Sequence, residues 1–247
     1  MTGQELIAHM RESILDDMAA PYLWKDTELL RYLNYAEVQA CRRGHLLIDD
    51  ATANDNGTAA TAGTLGQKPL CRLTIVAEQA QYNLSPKILM VKRCQFKSMT
   101  IPISGPVSYF ELDELQSGWR GTSGTVGTAG SGGNPFFFMN EPVNTITFVL
   151  APSKTDTAYL VVSRIPLTPF TLSTSPEIEE KYHEGLMDWA AHLAYMKNDS
   201  DTLNLNLAAV YESRFSAQFG FLPDANSERI RKTLSMQQRM RPREWGS

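Results

Sequence analysis

Apolar residues recur at every fourth position near the N-terminus, where Leu6, Met10, Ile14 and Met18 make one stripe. That spacing predicts a helix from about Gly3 to Ala19, ended by Pro21. A second stripe of Leu29, Leu30, Leu33, Ala36 and Ala40 follows Asp26, an N-cap candidate with Glu28 in the first turn. It closes at Arg42-Arg43-Gly44, cations and a glycine suited to a helix C-terminus. The chain should therefore open with two antiparallel helices joined by a short loop. From Asp49 to Pro69 the pattern disappears into Ala, Thr, Gly and Asn, with almost nothing to bury, which predicts a long loop.

Strand-like runs dominate the middle: Leu73–Val76, Ile88–Val91, Thr100–Ile103, Phe136–Met139, Thr145–Leu150 and Tyr159–Val162, with Pro and Gly in nearly every gap. A second loose segment, Gly118 to Asn134, carries Gly121, Gly124, Gly127, Gly130, Gly132 and Gly133. Loops of this length in compact domains are functional or disordered, and ordering so much glycine is entropically costly. Both loose segments are thus expected to need neighbouring chains or partner proteins to order them. Helical periodicity then returns. Ser175-Pro176-Glu177 reads as N-cap, first-turn proline and acid, and opens a helix to Lys197 through Ile178, Tyr182, Leu186, Trp189, Ala190 and Leu193. Asp199, Ser200 and Asp201 compete to cap a further helix carrying Leu203, Leu207, Tyr211, Phe215 and Phe219 before Gly220, and Asp224 is placed to cap a weaker, basic one.

Helices at both ends enclose strands in the middle. The expected fold class is α+β, a helical bundle from both chain ends with an inserted antiparallel β domain. The segments are an N-terminal helical hairpin over 1–48, a loop over 49–69, a β domain over 70–170 with a glycine-rich loop at 118–134, closing helices over 171–220, and a basic helix or tail over 221–247.

Hydrophobic residues at 43% and charged residues at 20% of 247 positions describe a chain able to bury a sizeable core. Its net charge of −4 disfavours a general nucleic-acid coat. The charge is uneven, however: residues 228–247 hold Arg229, Arg231, Lys232, Arg239, Arg241 and Arg243 against Glu228 and Glu244, a net +4 that leaves −8 on the rest. Such an end meets a partner or forms a solvated face. Cys41, Cys71 and Cys94 are odd in number and far apart, as expected of reduced packing residues. Glu5, Arg11, Glu12, Asp16 and Asp17 interrupt any secretory signal, and no apolar run reaches the ~20 residues of a membrane span.

Catalytic and ligand-binding patterns come close and fail. His183-Glu184 begins a zinc-protease helix, but Met187 stands where the second histidine is required, and His183 and His192 fall on opposite faces of one helix. His9 and His45 have no nearby ligand set. The glycine-rich segment lacks Gly-Lys-Ser/Thr, its Ala129–Gly133 stretch misses a nucleophile elbow, and Asn54-Asp55-Asn56-Gly57 lacks the first and twelfth ligands of a calcium loop. Glu177, Glu179 and Glu180 could pair as acid and base for hydrolysis, although a helix dipole accounts for them more simply. Tyr182, Trp189, Tyr211, Phe215 and Phe219 sit at core spacing. No cofactor and no metal is expected.

Several strings in a fixed order nevertheless resemble one family. Leu23-Trp24-Lys25-Asp26-Thr27-Glu28-Leu29-Leu30-Arg31-Tyr32-Leu33-Asn34-Tyr35-Ala36 is similar to the opening helix motif of tailed-phage head-to-tail adaptor (connector) proteins, and Tyr82 to Arg93 is similar to the family's first insertion strands. Trp119-Arg120-Gly121, Asn134-Pro135-Phe136-Phe137, Val161 to Pro166, and Ile178 to Thr202 continue the pattern, so the resemblance covers most of residues 20–220. The loops at 51–69 and after Trp119 depart from it.

The resemblance implies a structural protein without catalysis, a dodecameric homo-oligomeric ring beneath the portal protein and above a tail tube or nozzle protein, with double-stranded DNA passing through. It places the protein in the virion neck, assembled in the host cytoplasm and away from membranes. It also implies that the C-terminal segment grips the portal, which makes Arg229, Arg231, Lys232, Arg239, Arg241, Arg243 and Trp245 the candidate portal-binding residues. Arginine and tryptophan are residues enriched at interface hot spots. Alternatives from other classes are a virion-associated hydrolase using the Glu177–Glu180 carboxylates and a DNA-binding module using the basic C-terminus.

Overall fold

A computed structural model describes residues 1–50, 68–115, 135–140, 144–199 and 201–228. Most of the loops expected at 49–69 and 118–134 lies outside these residues. The helices are α1 (Gly3–Met10), prolonged by a π-helical turn at Arg11–Leu15, α2 (Asp26–Gly44), α3 (Lys68–Cys71), α4 (Tyr109–Leu115), α5 (His183–Tyr195), entered through a 3-10 turn at Glu180–Tyr182, and α6 (Leu205–Phe219). The strands are β1 (Leu47–Asp50), β2 (Arg72–Ile75), β3 (Gln81–Asn83), β4 (Ile88–Phe96), β5 (Phe137–Met139), β6 (Thr145–Val149) and β7 (Asp156–Arg164). The fold is α+β. It divides into a helical unit, Met1–Ile48 with Ser163–Pro223, and a second unit, Asp49–Val162 with Asp224–Ser247.

In the helical unit the apolar stripes supply the core. Leu29, Leu33, Ala36 and Ala40 of α2 are fully buried together with Leu6 and Met10 of α1 and Leu186, Ala190, Ala191 and Ala194 of α5. Each of the larger side chains contributes about 1.5–3 kcal/mol by leaving water. Phe215 and Phe219 of α6 close the cluster. Small residues on α5 let α6 approach: a Cβ on Gly185 would lie 2.8 Å from the Phe219 ring.

Several helix boundaries differ from the sequence expectation, for physical reasons. The first helix stops at Asp16, which takes a left-handed conformation with φ 50°, so Pro21 does not end it and Met18 leaves the stripe. Asp26 is the first helical residue after Lys25 and makes no cap, because its carboxylate is turned to Arg11 instead. His45, not Gly44, holds the left-handed position after α2. Ser175-Pro176-Glu177 starts no helix: the Glu177 carboxylate is drawn to Arg164, and the chain stays irregular until Glu180. Asn204 caps α6 through Leu207 N–H at 3.1 Å, displacing the acidic candidates upstream. Gly220 ends that helix at φ 85°, as expected of glycine. Asp224 accepts from Ser227 N–H at 2.5 Å and caps the helical turn that begins there.

In the second unit, strands pair in the order β1-β7-β2, with β4 also on β7, and in a separate order β3-β6-β5. The resolved pairings β2–β7, β3–β6 and β5–β6 are antiparallel. Ile75, Val91, Phe96 and Leu160 from the first sheet share a core with Tyr82, Phe138, Ile146 and Phe148 from the other. Edge-to-face contacts of Phe148 with Tyr82 and Phe96 tie the two together. Thr100–Ile103 is not a strand; only a bridge from Ile103 to Cys94 forms, and Ile101 is exposed. The short strand β1 and the helices α3 and α4 have no counterpart in the sequence expectation.

Candidate functional site

The candidate portal-binding residues Arg229, Arg231, Lys232, Arg239, Arg241, Arg243 and Trp245 lie outside the described residues. The three glutamates proposed for hydrolysis are separately engaged. Glu177 pairs with Arg164 at 2.6 Å, Glu179 with Lys181 at 2.5 Å, and Glu180 with the Met1 amine at 3.1 Å. His183 is buried and bonded to the Ile178 carbonyl at 3.0 Å, and burial lowers its pKa. His192 bonds the Ala208 carbonyl at 2.9 Å and lies against Trp189. Both histidines serve helix packing. Among the described residues no group of three or more His, Cys, Asp or Glu could hold a metal, and no helix is long and apolar enough to cross a membrane. All three cysteines are buried as free thiols, and burial beside Glu37 pushes Cys41 up to about 12.

Two polar clusters do organise surfaces, and neither was found from sequence. In the first, Arg11 on the π-helical turn is buried and ion-paired to buried Asp17. It also donates to the Trp24 carbonyl at 2.5 Å and to Asp26 at 2.7 Å, while its guanidinium lies 4.0 Å from the centre of the Tyr22 ring. Asp17 accepts in turn from Leu23 N–H at 3.1 Å, and Trp24 donates its indole N–H to the Ala194 carbonyl at 3.2 Å. The loop from Asp16 to Lys25 is thereby clamped at its base. Its outer residues, Met18-Ala19-Ala20-Pro21-Tyr22-Leu23, are all exposed and uncharged. The string Met18–Trp24 carried a signal, seven residues without a charge between two acids and a lysine, hidden by the fit of Met18 to a helical stripe.

The second cluster holds the irregular connection from Ile165 to Glu179. Asn34 on α2 brackets Phe170 from both sides, accepting its N–H at 2.9 Å and donating to its carbonyl at 3.1 Å. One turn on, Glu37 accepts from the N–H groups of Glu177 at 2.5 Å and Ile178 at 3.2 Å. The Glu177 carboxylate, besides pairing with Arg164, accepts from Leu167 and Thr168 N–H at 2.8 and 3.2 Å. The first turn of α1 joins in, with Gly3 and Gln4 donating to the Thr174 and Leu172 carbonyls. Backbone groups of this connection that no helix or sheet ladder pairs are thus satisfied by side chains of α2, by Glu177 and by the first turn of α1. Glu37 is only 1% exposed. Burial pushes its pKa up to about 7, against the lowering effect of the two N–H bonds.

Polar interior groups here brace loops and connections. The chain belongs to the SU10 adaptor protein family, whose model it matches over residues 1–243, and this is a family of phage head-to-tail adaptors. No curated protein matches the chain. Its role is therefore that of a structural adaptor of a bacteriophage, and membership implies association with portal and tail components.

Proposed function

We propose that the protein forms a ring, dodecameric as in the adaptors it resembles, between the portal and a tail tube or nozzle protein, with double-stranded DNA passing through its channel. The observation that carries this reading is the family match across residues 1–243, which takes in both units and nearly all of the basic C-terminus. Assembly takes place in the host cytoplasm and ends in the virion neck. The portal is gripped by Arg229, Arg231, Lys232, Arg239, Arg241 and Arg243, which pair with portal carboxylates, and by Trp245, which fills a pocket. The remaining chain, at −8, keeps a channel wall from gripping phosphate by like-charge repulsion.

The test removes residues 228–247 and mixes the truncated protein with purified portal free of DNA. Lost binding with an unchanged far-UV spectrum supports the grip; undiminished binding refutes it. A particle image showing a ring at the portal supports the assembly, and isolated single copies there refute it.

A further inference from the structure

Helix α1 changes register at its C-terminal end, and the sequence there fits two registers. The π-helical turn at Arg11–Leu15 carries Leu15 into the core at 7% exposure and leaves Met18 outside at 61%. An α-helix continued past Met10 would do the reverse. At about 100° per residue, Met18 would stand within about 20° of buried Ile7, and Leu15 within about 20° of exposed Ala8. The stripe of Leu6, Met10, Ile14 and Met18 is the apolar face of that straight helix.

Named contacts separate the two forms. In the bent form the Arg11 carbonyl accepts from the N–H groups of both Asp16 and Asp17, and Asp16 takes the left-handed conformation at φ 50°. Ser13 donates its hydroxyl to the His9 carbonyl at 2.6 Å, a back-bond of the kind that bends helices. The Ile14 carbonyl, which the Met18 N–H would take in a straight helix, accepts instead from the Tyr195 hydroxyl at 2.8 Å. Arg11 is seated on Asp17, Asp26 and the Trp24 carbonyl. Against these contacts stand a desolvated ion pair, a residue other than glycine in the left-handed region, and a methionine left in water. The straight helix exchanges Leu15 for Met18 and needs no left-handed residue. It also sets Asp17 within about 20° of Leu6 on the apolar face, which keeps it the less populated form.

We propose that α1 is a two-register element, in which the bent form exchanges with a straight form that runs on through Met18, packs Met18 and turns Leu15 to water. The straight form is held at the roughly 0.1–10% common for minor conformers. The register decides what this end of the unit displays. Only the bent form stacks Tyr22 on Arg11 and ties the Leu23 N–H to Asp17, so only there is Met18–Leu23 one ordered surface. Single π-turns within helices occur frequently at functional sites, and two packings of one segment separated by a small free energy are a recurring form of switch. The device belongs to the subunit and holds whether or not the subunits form a ring.

The test uses the full chain with one reporter thiol at a time, Leu15→Cys or Met18→Cys, and reads the rate of labelling by a maleimide; the native cysteines are buried. Position 18 should label fast and position 15 slowly. Asp16→Ala replaces a residue that tolerates the left-handed region with the best helix former, and should raise the rate at position 15 about tenfold. Asp16→Gly favours the bent form and should lower that rate about fivefold, whereas simple fraying of the helix end would make glycine raise it. Asp16→Ala combined with Asp17→Ala removes both the clamp and the carboxylate on the apolar face, and should invert the order, with position 18 protected and position 15 reactive. A position 18 that stays fast in the double variant, or a glycine that speeds position 15, overturns the proposal. Should the double variant fail to fold, the opposite signs expected of Asp16→Ala and Asp16→Gly decide the question.

Discussion

Replacing Glu37 by glutamine should change how the stability of the helical unit depends on pH. In the unfolded chain the carboxyl loses its proton near the ordinary value of 4.5; in the fold it holds the proton up to about 7. Between these values the folded state binds more protons than the unfolded state, so stability is greatest at acid pH and falls as pH rises. The window of about two and a half pH units is worth about 3 kcal/mol in all, of which roughly 2 is lost between pH 5 and pH 8. Glutamine keeps an oxygen for the Glu177 and Ile178 N–H groups and cannot ionise. Other groups of the unit titrate as well. Asp188, raised by burial, also loses stability as pH rises, His183, whose pKa is lowered by burial, loses it as pH falls, and Glu28, lowered by Lys197 and Tyr32 against the opposing pull of burial, loses it only in stronger acid. The difference between wild type and Glu37→Gln isolates the residue from all three. Urea titrations at pH 5, 6, 7 and 8, followed by tryptophan fluorescence through Trp24 and Trp189, supply it. Wild type should lose roughly 2 kcal/mol relative to the variant across that range. Parallel curves would show that Glu37 is already ionised at pH 5 and that the burial argument is wrong.

Arg11→Met leaves the buried Asp17 carboxylate unpaired and should cost about 3–5 kcal/mol in urea unfolding, with restoration of much of it by Asp17→Asn in the same chain. Gly3→Ala places a Cβ 2.5 Å from the Thr171 carbonyl oxygen, a backbone atom that cannot swing aside, and should lower the melting temperature through a cost of about 1–3 kcal/mol. Trp189→Ala removes the surface that packs Arg43, His192 and Phe215 and should cost on the order of 3 kcal/mol by the same titration.

The sequence was legible where a helix buries one continuous face. The stripe Leu29, Leu33, Ala36, Ala40 on α2 and the run Leu186, Ala190, Ala194 on α5 are both spaced by the helical period, and all of these residues are buried. It misled where a local signal competed with a distant partner. Ser175-Pro176-Glu177 has the chemistry of a helix start, but a buried arginine more than ten residues upstream and a glutamate on α2 outbid the helix for its groups. Met18 fitted a fourfold spacing that the fold does not follow, since the turn before it had already widened to a π-helix to seat Arg11 against Asp17. Short elements such as β3 and α4 carry too few residues for periodicity to register, and their existence depends on the strands and loops beside them. The candidate site was the least legible part, because the clamp around Arg11 joins positions up to fifteen residues apart and no spacing rule encodes such a contact.

The bracketed connection from Ile165 to Glu179 has a consequence for how this part of the gene can vary. Partners for its backbone are fixed at Phe170, Leu172, Thr174, Glu177 and Ile178, each meeting one particular atom on α1 or α2. Gaining or losing one codon between two of these points would shift every later bracket out of step, as a dropped tooth does in a zip. Surface loops commonly tolerate changes of length; here, substitutions can accumulate at Ser173 and Ser175, but the residue count from Phe170 to Ile178 should stay constant among functional descendants of this sequence.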